Sequence, residues 1–185
     1  MSTCARIAAA LLIAVLASTT LTNPGPAAAA DAALDRDVAA ALNVLLDTTP
    51  AAKALAPDAK GILVFPNIVK AGFLVGAQYG EGALLTSGKT TAYYNIAAAS
   101  YGLQAGAQSF GYALFFMTPG ALEHLDKTAG FEIGVGPSVV VVDEGMARTL
   151  TTTTARDDVY AFIFGQKGLM AGAGLQGSKI TRISP

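Results

Sequence analysis

The chain has 185 residues and a formal net charge of −1 at pH 7, with 20 glycines, 1 cysteine and no tryptophan. A charge so near zero argues against nucleic acid as the main partner, because phosphate-backbone binding calls for a strongly basic domain. A single cysteine, Cys4, excludes an internal disulfide and a cysteine metal cluster.

Arg6 is the only charge ahead of an apolar run from Ile7 to Ala17, after which Asn23-Pro24-Gly25-Pro26 leads into Ala27-Ala28-Ala29-Ala30. That is the layout of a secretory signal ending in an Ala-x-Ala cleavage site. The run is roughly half of the ~20 apolar residues that a spanning helix needs. The expectation is a signal peptide over 1–30 and one exported domain over 31–185, periplasmic or extracellular, or peripheral on a membrane. An uncleaved anchor is the alternative. A lipoprotein would need its cysteine after the apolar core, whereas Cys4 precedes it. Loss of Arg6 moves the net charge from −1 to −2.

Asp31 to Ala59 is the one extended helical region, with Leu34, Val38, Leu42 and Leu45 forming an apolar stripe. Thr49-Pro50 reads as a cap followed by proline at the first position of a short second helix, through Lys53 and Leu55. From Gly61 the pattern changes to short apolar runs broken by glycine. Strands are expected at 61–65, 72–79, 83–86, 91–96, 101–108, 112–117, 131–142, 159–164 and 169–183. Ser87-Gly88 supplies a turn, and Thr118-Pro119-Gly120 opens a short helix with Thr118 as its cap.

Gly76-Ala77-Gln78-Tyr79-Gly80 recurs as Gly106-Ala107-Gln108-Ser109-Phe110-Gly111, and Gly134-Val135-Gly136 and Gly172-Ala173-Gly174 resemble its core. Glycines inside strands mark bends, bulges or close backbone approach, so Gly76, Gly106 and Gly172 are expected where the sheet bends or is crowded. The fold class that follows is α+β: a curved antiparallel glycine-rich sheet or partly closed barrel, with N-terminal helices and one short later helix.

Catalytic and cofactor motifs fail one by one. Gly88-Lys89-Thr90 ends like a phosphate loop, but Ala83 stands where that loop needs its first glycine. His124 is the only histidine and has no second histidine to complete a metal site. Asp143-Glu144 and Asp157-Asp158 read as solvated loop ends, and no nucleophile elbow surrounds any serine. No enzyme activity, cofactor or metal is expected. Phe65, Phe73, Phe115 and Phe116 read as core rather than as the lining of a lipid site.

The stretch from Ala59-Lys60-Gly61-Ile62-Leu63-Val64-Phe65-Pro66-Asn67 to Gly80-Glu81-Gly82 resembles the opening of the SYLF domain family. Tyr101-Gly102-Leu103-Gln104-Ala105-Gly106-Ala107-Gln108, Gly134-Val135-Gly136-Pro137 and Lys167 to Ser178 follow in the same order. The resemblance implies a phospholipid- or phosphoinositide-binding module. Some eukaryotic members also bind actin, and bacterial relatives are exported or lipoprotein-type proteins for which lipid binding is the usual proposal.

Two departures stand out: Tyr93-Tyr94 occupies a segment where the family often has Trp, and no basic N-terminal extension accompanies the domain. Lack of that charge weakens any carry-over of actin or phosphoinositide binding, both of which rest on positive charge meeting an acidic partner. What carries over is a phospholipid or membrane surface as partner, with an envelope protein contacted by the same sheet as the alternative. Lys60, Lys70 and Lys167 stand at the matching motifs as candidate headgroup contacts, although each also fits a lysine reaching from a strand end into solvent.

Overall fold

The structure, a computed structural model, describes residues 26–127, 131–132, 137–142 and 157–183. Two helices come first, α1 over Pro26–Thr48 and α2 over Pro50–Leu55. The expected stripe lies on the packed side of α1, with Val38 and Leu45 buried and Leu34 and Leu42 partly so. Thr49 is extended as a cap residue should be, yet its side chain makes no capping bond. The start of α2 therefore rests on the fixed φ of Pro50. The expected cut between Ala30 and Asp31 falls inside α1.

After the helices come β1 (Gly61–Thr86), β2 (Lys89–Phe116), α3 (Pro119–Lys127), β3 (Phe131–Glu132), β4 (Val139–Val142) and β5 (Val159–Ile183). Sheet order is β1-β2-β5-β3, with β4 also paired to β5. Most of the expected short strands are thus segments of three long ones. Bulges and glycine bends interrupt the side-chain alternation without ending the backbone ladder. A further correction concerns β4, which pairs with β5 in parallel, whereas the expectation was antiparallel throughout. The connection between them is long enough to bring the chain back in the same direction.

The β1–β2 ladder has two halves. Gly61 to Phe73 pairs with Ala105 to Phe116, and Val75 to Thr86 pairs with Lys89 to Tyr101. Between them the chain turns sharply: Leu74 has φ 65°, and a Cβ on Gly72 would lie 2.7 Å from the Val75 carbonyl oxygen. Gly76 faces Gly72 across this bend, Gly106 takes φ 136°, and Gly172 pairs with Gln104 at the same level of β5. The recurring glycine motif therefore marks one fold line across three strands. At the far end, Ser87 (φ 51°) and Gly88 (φ 76°) make the expected tight hairpin turn.

Folding over this line curls the sheet into a half-barrel and creates two cores. Inside the curl, Leu63, Phe65, Leu114 and Phe116 from one half meet Tyr94, Ile96 and Ile180 from the other. On the outside, Val64, Ala113, Phe115 and Phe162 pack against Val38, Leu45 and Leu55 of the helices. The Phe115 and Phe162 rings meet edge to face at 5.0 Å. Each such side chain contributes about 2 kcal/mol through burial. The bulge between Phe65 and Ile68 changes which residues face inward, from Leu63 and Phe65 to Ile68.

Polar ties fix the covering elements. Asp35 of α1 accepts hydrogen bonds from the Thr90 hydroxyl at 2.7 Å and the Tyr93 hydroxyl at 3.2 Å, pinning the helix to the β1–β2 hairpin. The Ala121 N–H donates to the Thr118 hydroxyl at 3.3 Å, so Thr118 caps α3 as expected. That hydroxyl donates in turn to Asp158 at 3.0 Å, and Asp158 also accepts from the Ser138 N–H and hydroxyl. Asp158 is therefore a joint between α3, β4 and β5 rather than the solvated loop end expected of it. Asp157 likewise exchanges hydrogen bonds with the Tyr160 hydroxyl. Asp143-Glu144 lies outside the described residues.

Candidate functional site

Along β1 beyond the bulge, Val69, Ala71, Phe73, Val75, Ala77 and Tyr79 are exposed, while Ile68, Gly76, Gln78 and Gly80 are buried. The outward positions are thus almost wholly apolar, and α1 covers the outer face only near Val64 and Ala83. At the fold line this surface is uncovered. Phe73 is 75% exposed, Val75 61%, Leu74 47% and Val69 51%. Phe73 and its outward neighbour Ala71 face only alanines across the ladder, Ala105 and Ala107. Leu169 of β5 pairs with Ala107 and is 88% exposed, extending the patch.

Phe65, Phe115 and Phe116 are core, as expected, but Phe73 is not. It sits on the outward register at the fold line, where no second layer among the described residues covers it.

The candidate lysines do not share one surface, since Lys70 follows Val69 directly in the strand and so faces away from the side that carries Lys167. Lys167 pairs with Ser109, which pairs with Val69, so it borders the apolar patch and is exposed. Lys70 pairs with Gln108 in the adjacent row and is partly buried. Lys60 precedes the first residue of β1, its N–H donating to the Phe116 carbonyl. Ten residues of strand at about 3.3 Å each place it up to ~30 Å from Lys70. Lys179, which the sequence reading passed over, is exposed on β5 opposite Ala97, in the row of Tyr79.

Inside the curl lies a cavity of about 280 Å³. Ile68, Ile96, Phe110 and Tyr112 form its walls, Gln78 and Ser178 add polar groups, and the exposed Val141 and Ile163 stand at its rim. None of these lining residues is charged. Tyr112 is 6% exposed, and among the described residues no hydrogen bond is made to its hydroxyl. Burial alone pushes the phenol's pKa up, so the group stays a protonated donor. Neither Tyr112 nor Gln78 stood out in the sequence, where the first reads as one more apolar residue of a strand.

The other motifs take structural roles. Gly88-Lys89-Thr90 belongs to the hairpin turn. Partly buried His124 lies in the last turn of α3 and is not without a partner. No group of His, Cys, Asp or Glu among the described residues is arranged to hold a metal ion. No helix among them is long and apolar enough to cross a membrane.

The described residues thus form a β-rich half-barrel with an exposed apolar fold line and a largely apolar interior cavity. Residues 97–184 match the protein-family model described as Ysc84, Las17-binding protein actin regulator, which is the SYLF family that the sequence motifs resemble. The match takes in most of β2 and everything after it. No curated protein matches the chain.

Proposed function

We propose that the protein is an exported, non-enzymatic lipid-binding module that settles on membrane surfaces through the fold line of its sheet. The observation that carries this reading is the uncovered apolar patch of Val69, Phe73, Leu74, Val75 and Leu169, with Lys167 at its border. Exposed apolar side chains gathered on one convex edge fit an interfacial layer, and the lysine beside them suits anionic headgroups. The family description speaks of Las17 binding and actin regulation. The apolar patch favours lipid over either partner here.

Export rests on the N-terminal layout. N-terminal sequencing of protein from the envelope fraction should give Asp31 as the first residue, and an intact 1–30 segment would favour an anchor instead.

Vesicle flotation tests the headgroup role. Each lysine near an anionic surface is worth about 1 kcal/mol, so Lys167→Ala should bind anionic vesicles roughly fivefold more weakly at low salt. The difference should shrink at high salt, where screening shortens the field. Lys60→Ala should bind as the unaltered protein does. Equal binding by Lys167→Ala would remove that lysine from the site. Loss of flotation altogether, with capture of an envelope protein by the same surface, would favour the protein-interaction alternative.

A further inference from the structure

The geometry points to the interior cavity as a second site, which takes one acyl chain through its ester carbonyl, with the Tyr112 hydroxyl as donor. This rests on the lipid-binding reading and deepens it, since it specifies which part of a lipid enters the protein. Four observations lead to it. The first is size: about 280 Å³ lies just under the ~300–1,000 Å³ usual for small-molecule sites, enough for one chain and too little for a two-chain lipid.

The second is the wall, where Ile68, Ile96 and Phe110 offer an alkyl chain contacts it would lack in water. The third is Tyr112, a protonated residue that lines this space and whose hydroxyl is not a buried atom left without a partner but a donor that solvent, and so a ligand, can reach. Water meets such a donor while the site is empty, and a ligand oxygen can take that water's place. The fourth is that none of the described lining residues is charged. A carboxylate buried there would lose its hydration with no cation to replace it, whereas a neutral ester carbonyl needs only one donor. The cavity therefore selects an acyl ester over an ionised fatty acid.

The rim residues show where a chain would enter. Val141 of β4 and Ile163 of β5 are 50% and 43% exposed, so a larger side chain at either narrows the mouth without disturbing the core. The experiment uses the full chain after export and compares 1-monolauroylglycerol, lauroyl-lysophosphatidylcholine and laurate at pH 8, by calorimetric titration. Monolauroylglycerol should bind at least tenfold more tightly than laurate. Tyr112→Phe should weaken it about fivefold, and Val141→Trp at least tenfold, with melting temperatures unchanged. Equal binding of the lysolipid would identify any acyl ester as ligand, and preference for the glyceride would restrict the source to neutral lipids. Either result supports the site.

Laurate binding as tightly as the ester would overturn the inference, as would full binding by both variants. Vesicle flotation separates the two readings. Flotation without monolauroylglycerol binding removes the cavity site and leaves membrane docking in place. Monolauroylglycerol binding without flotation does the reverse.

Discussion

Replacing Gly82 by valine should cost most of the protein's stability. A Cβ at this position would run into the Val64 carbonyl oxygen and lie 2.7 Å from the Phe65 ring. Both obstacles belong to the other half of the same strand, so they cannot move aside without breaking the β1–β2 ladder. Overpacking typically costs about 1–3 kcal/mol and more where backbone blocks relaxation, so a loss of about 3 kcal/mol or more is expected. A whole domain holds only about 5–15 kcal/mol. Gly120→Ala is the comparison: it lies in α3, nothing stands within 4 Å of its added Cβ, and it should melt at or slightly above the unaltered protein. Urea unfolding of the two variants measures the difference. A wild-type midpoint for Gly82→Val would mean that the two halves of β1 do not meet.

The Phe73→Asp, Leu169→Asp double variant should fold normally and lose membrane binding. With 75% and 88% of these residues already exposed, the folded state gives up little when they change. On a bilayer each side chain would transfer about 2 kcal/mol of apolar burial, so losing both lowers affinity by about three orders of magnitude. Two added carboxylates also oppose anionic headgroups. The loss should persist at high salt and on neutral vesicles, unlike that of the Lys167→Ala variant, because burial is not screened. Undiminished flotation would move docking away from the fold line.

Local punctuation was the most legible part of the sequence. Ser87-Gly88 and Thr118-Pro119-Gly120 carry their geometry in their own backbones, and both sit where they were expected. The α1 stripe was equally plain because helical periodicity survives whatever packs against it. Strand continuity was not legible: Pro66-Asn67 and Gly72 to Gly76 interrupt the alternation as loops would, while the chain stays paired through them. The site was hidden for the same reason. Which residues stand uncovered at Phe73 and Leu169 depends on how far the helices reach over the sheet. Lys60 and Lys70 bracket one motif in sequence, yet a strand laid straight between them carries them apart. Tyr112 gains its meaning only when the curl brings it into the lining of the cavity.

The close approach at Gly80 and Gly82 also bears on solubility. An outermost strand usually exposes a row of unpaired amides and carbonyls, on which a foreign strand can build toward fibrils. In this protein β1 is outermost, yet Gly80 comes against Asn67 and Ile68, and Gly82 against Val64 and Phe65. The strand thereby occupies, with its own second half, the space an incoming chain would need. The glycines that make the fold so intolerant of a larger side chain are also its guard against aggregation.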